Sequence, residues 1–148
     1  MSGERGDEAG ATGPLTIAVT DGHSVTALRT RPTGDVGWTF IYAPGAGSNI
    51  HDPFGAFAAR ELASGGITVI RFQFPYQEAA KRAPDRPQVL EEAWRAVIDA
   101  IRPGDGRLVI GGRSMGGRIA SQVVAQGVEV DALALFAYPL HPPGKPEQ

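Results

Sequence analysis

The 148-residue chain contains no cysteine, which excludes disulfides, a thiolate nucleophile and cysteine-based metal sites. Histidine is scarce, with three residues and no H-E-x-x-H or similar spacing, so neither a metal centre nor a cofactor is expected. No run approaches the ~18 apolar residues that a membrane-spanning helix needs. The opening MSGERGDEAGATGP lacks the apolar core of a secretory leader. These absences lead us to expect a cytoplasmic protein without a membrane partner. An excess of one charge is missing too: 14 Lys and Arg stand against 16 Asp and Glu, for a net charge of -2. Nothing in that balance would draw the chain to nucleic acid.

What is present is a chain of 42% hydrophobic residues, enough for one domain with a sizeable core. Residues 1–13 are expected to be a disordered tail, and residues 14–148 the domain. Glycine is abundant, at 20 residues, and one glycine-rich stretch organises the rest. Arg107 to Arg118, RLVIGGRSMGGR, reads as a buried strand (Leu108, Val109, Ile110), a glycine-flanked serine, and a helix beginning near Gly116 or Gly117. This is a G-x-S-x-G pattern in a strand-turn-helix context.

The spacing has a physical reason. A serine on a sharp strand-to-helix corner has strained backbone angles, so the positions two before and two after must be nearly free of side chain. Gly112 and Gly116 occupy them. Such a corner lifts the Ser114 hydroxyl above the strand ends and aims the Met115 N–H, at the helix start, where an oxyanion would form. The alternative is a purely structural glycine turn, because three fixed positions recur by chance. A dinucleotide loop fits less well, since Gly111 to Gly117 does not give G-x-G-x-x-G.

In chain order, Leu15–Thr20 and Val25–Thr30 alternate around Asp21-Gly22, a hairpin signal, with His23 a solvated loop residue. Trp38–Ala43 is a continuous apolar strand, as expected where a sheet is covered on both faces. The small residues Pro44 to Ser48 lead to a helix from Pro53, whose Phe54, Phe57, Ala58 and Leu62 share one face. In G-x-S-x-G enzymes a second oxyanion N–H comes from the loop after the third strand, and Ala46 sits there. His51 and Asp52 have the composition of a catalytic pair, but adjacent side chains rarely face each other, so Asp52 is expected to cap the helix.

Ile67–Phe72 is a fourth strand, and Gln73–Pro87 a long polar connection whose Phe74-Pro75-Tyr76 either walls a pocket or packs under the loop. Gln88–Arg102 is amphipathic through Leu90, Ala93, Trp94, Val97, Ile98 and Ile101. The helix after Ser114 carries Ile119, Ala120, Val123 and Val124, and Val130–Tyr138 is a sixth strand. The order β-β-β-α-β-α-β-α-β argues for an α/β fold, three-layered, with a mostly parallel sheet between helices.

The stretches APGAGS (43–48), RFQFPYQEA (71–79), APDRP (83–87), GGRSMGGR (111–118) and YPLHPPGKPE (138–147) carry a resemblance. The chain resembles α/β-hydrolases of the dienelactone-hydrolase-like branch, and most of all bacterial relatives of the animal testis-expressed and NSL-complex-subunit-three proteins. The resemblance implies the hydrolase sheet in order 1-2-4-3-5-6, Ser114 as nucleophile, the Ala46 and Met115 amides as oxyanion donors, and a small-molecule ester or similar acyl substrate. The animal relatives imply that the scaffold also serves as a complex subunit.

In that fold the catalytic acid and histidine follow the serine, after two further strands. Here 148 - 114 = 34 residues follow Ser114. The expectation is therefore a C-terminally truncated hydrolase domain lacking its last two strands, weakly active or inactive. Of the candidates after Ser114, Glu129 and Asp131 fall at the far end of the sixth strand. His141 is on the correct rim, but its place in the HPPGKP loop favours a structural role. The sixth strand, ALALFAY, is then expected to be an apolar edge open to self-association or a partner. Arg113 and Arg118 flank the serine and either attract an anionic substrate or are solvated and paired.

Overall fold

The computed structural model describes residues 8–20 and 22–138. Six strands form one sheet in the order β1-β2-β4-β3-β5-β6, where β1 is Thr12–Ala18, β2 Ser24–Thr30, β3 Trp38–Ala43, β4 Thr68–Phe72, β5 Arg107–Arg113 and β6 Ala132–Phe136. The pairings β4-β3, β3-β5 and β5-β6 are parallel, and β1-β2 and β2-β4 are antiparallel. The described helices are α1 (Pro53–Ser64), α2 (Pro75–Glu78), α3 (Pro87–Ile101) and α4 (Met115–Ala125). The fold is that of an α/β-hydrolase, and the strand order is the one that the resemblance implies.

Alternation along the central strands builds two cores. Ile41, Ala43, Ile70, Phe72 and Ile110 pack with Leu90, Trp94, Val97, Ile98, Ile119 and Val123 of α3 and α4 in one buried cluster. Phe40 and Tyr42 face the other way, where Tyr42 lies against Gly55 of α1. Each strand residue thus serves one layer, as a period of two requires. Trp94 is fully buried, packs edge-on to Phe72, and satisfies its indole N–H on the Gly116 carbonyl at 3.2 Å. The longest apolar side chain of α3 therefore also anchors the start of α4.

Several expectations shift. The ladder of β1 begins at Thr12, inside the stretch read as tail, because Thr12 pairs with Thr30 and their hydroxyls lie 2.8 Å apart. The hairpin turn is as expected: the His23 N–H closes it on the Thr20 carbonyl, with Gly22 at φ 76°. The buried stripe of α1 is Gly55, Ala59 and Ala63, whereas Phe57 is 53% exposed. A helix that lies close on Tyr42 needs small residues beneath it, so Phe57 turns outward while Phe54 packs at the edge against Tyr42 and Phe136. The connection after β4 contains α2, which was not anticipated, and β6 is shorter than Val130–Tyr138. His141 and the rest of the YPLHPPGKPE stretch after Tyr138 lie outside the described residues.

Candidate active site

Ser114 occupies the corner between β5 and α4 with φ 51° and ψ -116°, backbone angles that a side-chain-bearing residue rarely adopts. Two hydrogen bonds hold it there: its N–H donates to the Phe136 carbonyl of β6 at 2.8 Å, and its carbonyl accepts the Arg118 N–H at 2.9 Å. The flanking glycines are required by backbone meeting backbone. A Cβ on Gly112 would collide with the Ala43 carbonyl oxygen, and one on Gly116 with the Ala43 and Pro44 carbonyls. Ser114 thus stands at a sharp turn of the backbone between β5 and α4.

The serine, partly buried, opens into a cleft of about 290 Å³ lined by Gly45, Ala46, Gly47, Ser48, Asp52, Arg113 and Ser114. The structure therefore brings Ser114 and Ala46 to one hollow. Met115 is the first residue of α4, so its N–H is among those the helix leaves unpaired. Its side chain is buried in the α3/α4 core. No histidine is among the described residues lining the cleft. His51 is exposed and its N–H donates to Asn49 Oδ1 at 2.8 Å.

Asp52 caps α1 as expected, Oδ1 accepting from the Phe54 N–H at 3.0 Å and Oδ2 from the Gly55 N–H at 3.2 Å. Sequence reasoning missed its other partner, the Tyr42 hydroxyl, which donates to Oδ2. Burial, reinforced by the Asp52 hydrogen bond and charge, pushes the Tyr42 phenol well above its ordinary value, so it stays neutral. Arg71, beside Tyr42 in the ladder, is also buried, which lowers its pKa, while Asp52 and Tyr42 act in the opposite sense. Its Nη1 donates to the Ile50 carbonyl at 3.2 Å, and among the described residues nothing meets its Nε.

The glycine loop is held from the β4 side by Tyr76, Gln77 and Gln73, of which only Tyr76 stood out in the sequence. Tyr76 Oη donates to the Ala46 carbonyl at 2.7 Å, and Gln77 Nε2 to the Gly45 and Ser48 carbonyls at 2.9 and 3.0 Å. Gln73 Oε1 accepts the Ile50 N–H at 3.1 Å. Phe74 and Tyr76, which the sequence left open between pocket wall and packing, are 0% and 2% exposed and belong to the core, though the Tyr76 hydroxyl reaches the loop. Arg113 stacks over the Phe54 ring at 5.5 Å, which makes it a partnered residue at the cleft's rim. Among the described residues no group of three or more His, Asp and Glu is placed to hold a metal ion, and no helix is long and apolar enough to cross a membrane.

A strained serine at a parallel strand's C-terminal end, facing a glycine loop from the neighbouring strand, is the arrangement of the serine hydrolases built on this sheet. Residues 37–148 match the alpha/beta hydrolase domain family, and the chain belongs to that family. Among solved structures it is similar to a lidless alpha/beta serine hydrolase from Xanthomonas campestris, with 28% identity over 86% of this chain and 62% of that one, and a TM-score of 0.73. It also superimposes on an alpha-beta serine hydrolase homologue from Coxiella burnetii (20% identity, 86% and 63% of the two chains, TM-score 0.75). A dienelactone hydrolase from Anabaena variabilis gives 17% identity, 86% and 62% coverage, and a TM-score of 0.70. The last two show the fold alone. No curated protein matches the chain, which spans less than two thirds of the length of each of these structures.

Proposed function

We propose that the chain carries the nucleophile and oxyanion side of a serine hydrolase for ester or similar acyl substrates, within the dienelactone-hydrolase-like branch and its NSL-complex-subunit-three kin. The supporting observation is Ser114 at φ 51°, held on the β5–α4 corner and opening into the cleft that Ala46 lines. In this reading the Ser114 hydroxyl attacks the acyl carbon, and the Ala46 and Met115 N–H groups receive the charge that develops on oxygen. No histidine is among the described residues lining the cleft, and its one carboxylate, Asp52, is taken up by the Phe54 and Gly55 N–H groups and the Tyr42 hydroxyl, so none of those residues is free to take the Ser114 proton.

The test is hydrolysis of p-nitrophenyl acetate by residues 1–148. A hydrolase site without its base and acid retains only the catalysis of its oxyanion hole and binding, ~10³ to 10⁴ over water. We expect weak turnover, with the acetyl group that is transferred to protein found on Ser114 by mass spectrometry. An acetyl group on another residue with Ser114 unmodified overturns the nucleophile assignment, and robust turnover that Ser114→Ala abolishes overturns the missing base.

A second reading, of a non-enzymatic scaffold, draws support from β6, whose Leu133 and Leu135 are each 38% exposed. A partner or second copy would dock along that strand. Size-exclusion chromatography separates the readings: a concentration-dependent dimer that Leu133→Lys returns to monomer, with Ser114 unreactive, favours the scaffold.

A further inference from the structure

The loop bearing the proposed oxyanion donor offers its carbonyls to the far side, where polar side chains from the segment after β4 take them up. Gln77 is 8% exposed, and its amide is fully committed. Oε1 accepts the Phe74 N–H at 2.9 Å, while Nε2 stands 2.9 Å from the Gly45 carbonyl, 3.0 Å from that of Ser48 and 3.1 Å from Tyr76 Oη. An amide nitrogen has two hydrogens, and the two shortest contacts use both. Tyr76 Oη gives its own proton to the Ala46 carbonyl at 2.7 Å. These pairs span 29 to 32 residues of sequence, so they tie two separate segments together.

The consequence follows from peptide geometry. The Gly45 carbonyl and the Ala46 N–H belong to one planar trans peptide and point in opposite directions. A donor on the carbonyl fixes the plane, and with it the direction of the N–H. The same holds for the Ala46 carbonyl and the Gly47 N–H. Among the described residues no acceptor takes up the Ala46 N–H, and both Ala46 and Gly47 line the hollow into which Ser114 opens. A loop rich in glycine has little backbone stiffness of its own to hold these planes.

We propose that Gln77, assisted by Tyr76, is a positioning residue: its side chain clamps the loop carbonyls so that the Ala46 and Gly47 N–H groups are aimed into the Ser114 cleft as a preformed anion-binding edge. The catalytic meaning of this clamp rests on the reading of Ser114 as nucleophile, but the clamp itself does not. Neither residue touches the acyl group. Each acts through the loop.

The experiment uses the whole 148-residue chain and two substitutions: Gln77→Met, which keeps the length and removes both donors together with the Oε1 acceptor of the Phe74 N–H, and Tyr76→Phe, which removes one hydroxyl. Proton–nitrogen correlation spectra report the loop amides directly. The expected result is displacement of the Ala46 resonance by Gln77→Met, and of Gly47 by Tyr76→Phe, beyond that of any amide outside residues 44–52 and the substituted segment 73–81. In parallel, labelling by a fluorophosphonate is followed against reagent concentration. The saturating rate should fall at least ~10-fold in Gln77→Met while the half-saturating concentration holds, since one misaimed donor weakens only the charged transition state.

Loop resonances unmoved by Gln77→Met overturn the proposal, as does a half-saturating concentration that rises while the saturating rate is unchanged. If Gln77→Met does not fold, Tyr76→Phe decides: a displaced Gly47 resonance supports the clamp and an unmoved one overturns it. A wild-type chain that never reacts with the fluorophosphonate defeats the nucleophile reading and not the clamp, which the spectra alone then judge.

Discussion

Asp52 joins two jobs in one carboxylate, and removing it separates them. Asp52→Ala deletes the side-chain cap on the Phe54 and Gly55 N–H groups, a loss of about 1 kcal/mol for such a position. It also strands the Tyr42 hydroxyl, 3% exposed, without its acceptor, which adds about 2 kcal/mol for a buried unsatisfied donor. Together the variant should lose about 3 kcal/mol, a large share of the ordinary stability of a small domain. In a Tyr42→Phe background no hydroxyl remains to be stranded, so Asp52→Ala should then remove only the cap, about 1 kcal/mol. The cycle therefore predicts a coupling of about 2 kcal/mol. Urea denaturation of the four proteins, followed by fluorescence of the buried Trp94, measures it. Additivity to within about 0.5 kcal/mol would falsify the idea that Asp52 and Tyr42 act as one unit.

Three further outcomes are expected. Tyr42 has a folded-state pKa raised above the ordinary 10.0, so the unfolded chain loses its proton first. That contribution is intact below pH 10 and is lost as pH rises beyond it, by up to ~1.4 kcal/mol per pH unit, a slope that urea titrations at pH 8 and 10.5 should find diminished in Tyr42→Phe. Gly116→Ala forces a Cβ onto the Ala43 and Pro44 carbonyls and should lower stability by several kcal/mol or prevent folding, whereas Gly104→Ala, with open space around it, should stay within ~0.5 kcal/mol in a thermal melt. For Glu78, burial works upward, but hydrogen bonds from Gln73 and Thr26 outweigh it and hold the carboxyl below its ordinary 4.5. Its contribution is present above pH 4.5 and lost as pH falls through the lowered value, a loss that Thr26→Ala should diminish in acid titrations.

Elements whose signal is local were legible in the sequence. Trp38–Ala43 and the start of α1 at Pro53 fall where an apolar run and a proline suited to a first helical position put them. Asp52 as cap and the glycine-flanked corner at Ser114 were readable for the same reason: each rests on residue types needed within four positions of one another. The buried face of α1 was not legible. Gly55, Ala59 and Ala63 carry little hydrophobic weight, so a search for apolar periodicity settles on Phe57, which is exposed. Gln77 was equally silent, because a polar residue in a polar connection gives no sign that carbonyls about 30 residues upstream lie within its reach, as the contacts with Gly45 and Ser48 do. The Tyr42–Asp52 bond was hidden likewise, since it depends on β3 and the loop after it folding back on each other.

A hydrolase role for this chain requires that the hydroxyl at the β5–α4 corner be the group that attacks. Incubating the chain with a fluorophosphonate and locating the adduct by tandem mass spectrometry asks this directly. One adduct, on Ser114 and absent after Ser114→Ala, is the predicted result. An adduct on Ser48 or Tyr76 with Ser114 untouched, or none after prolonged exposure of folded protein, contradicts it.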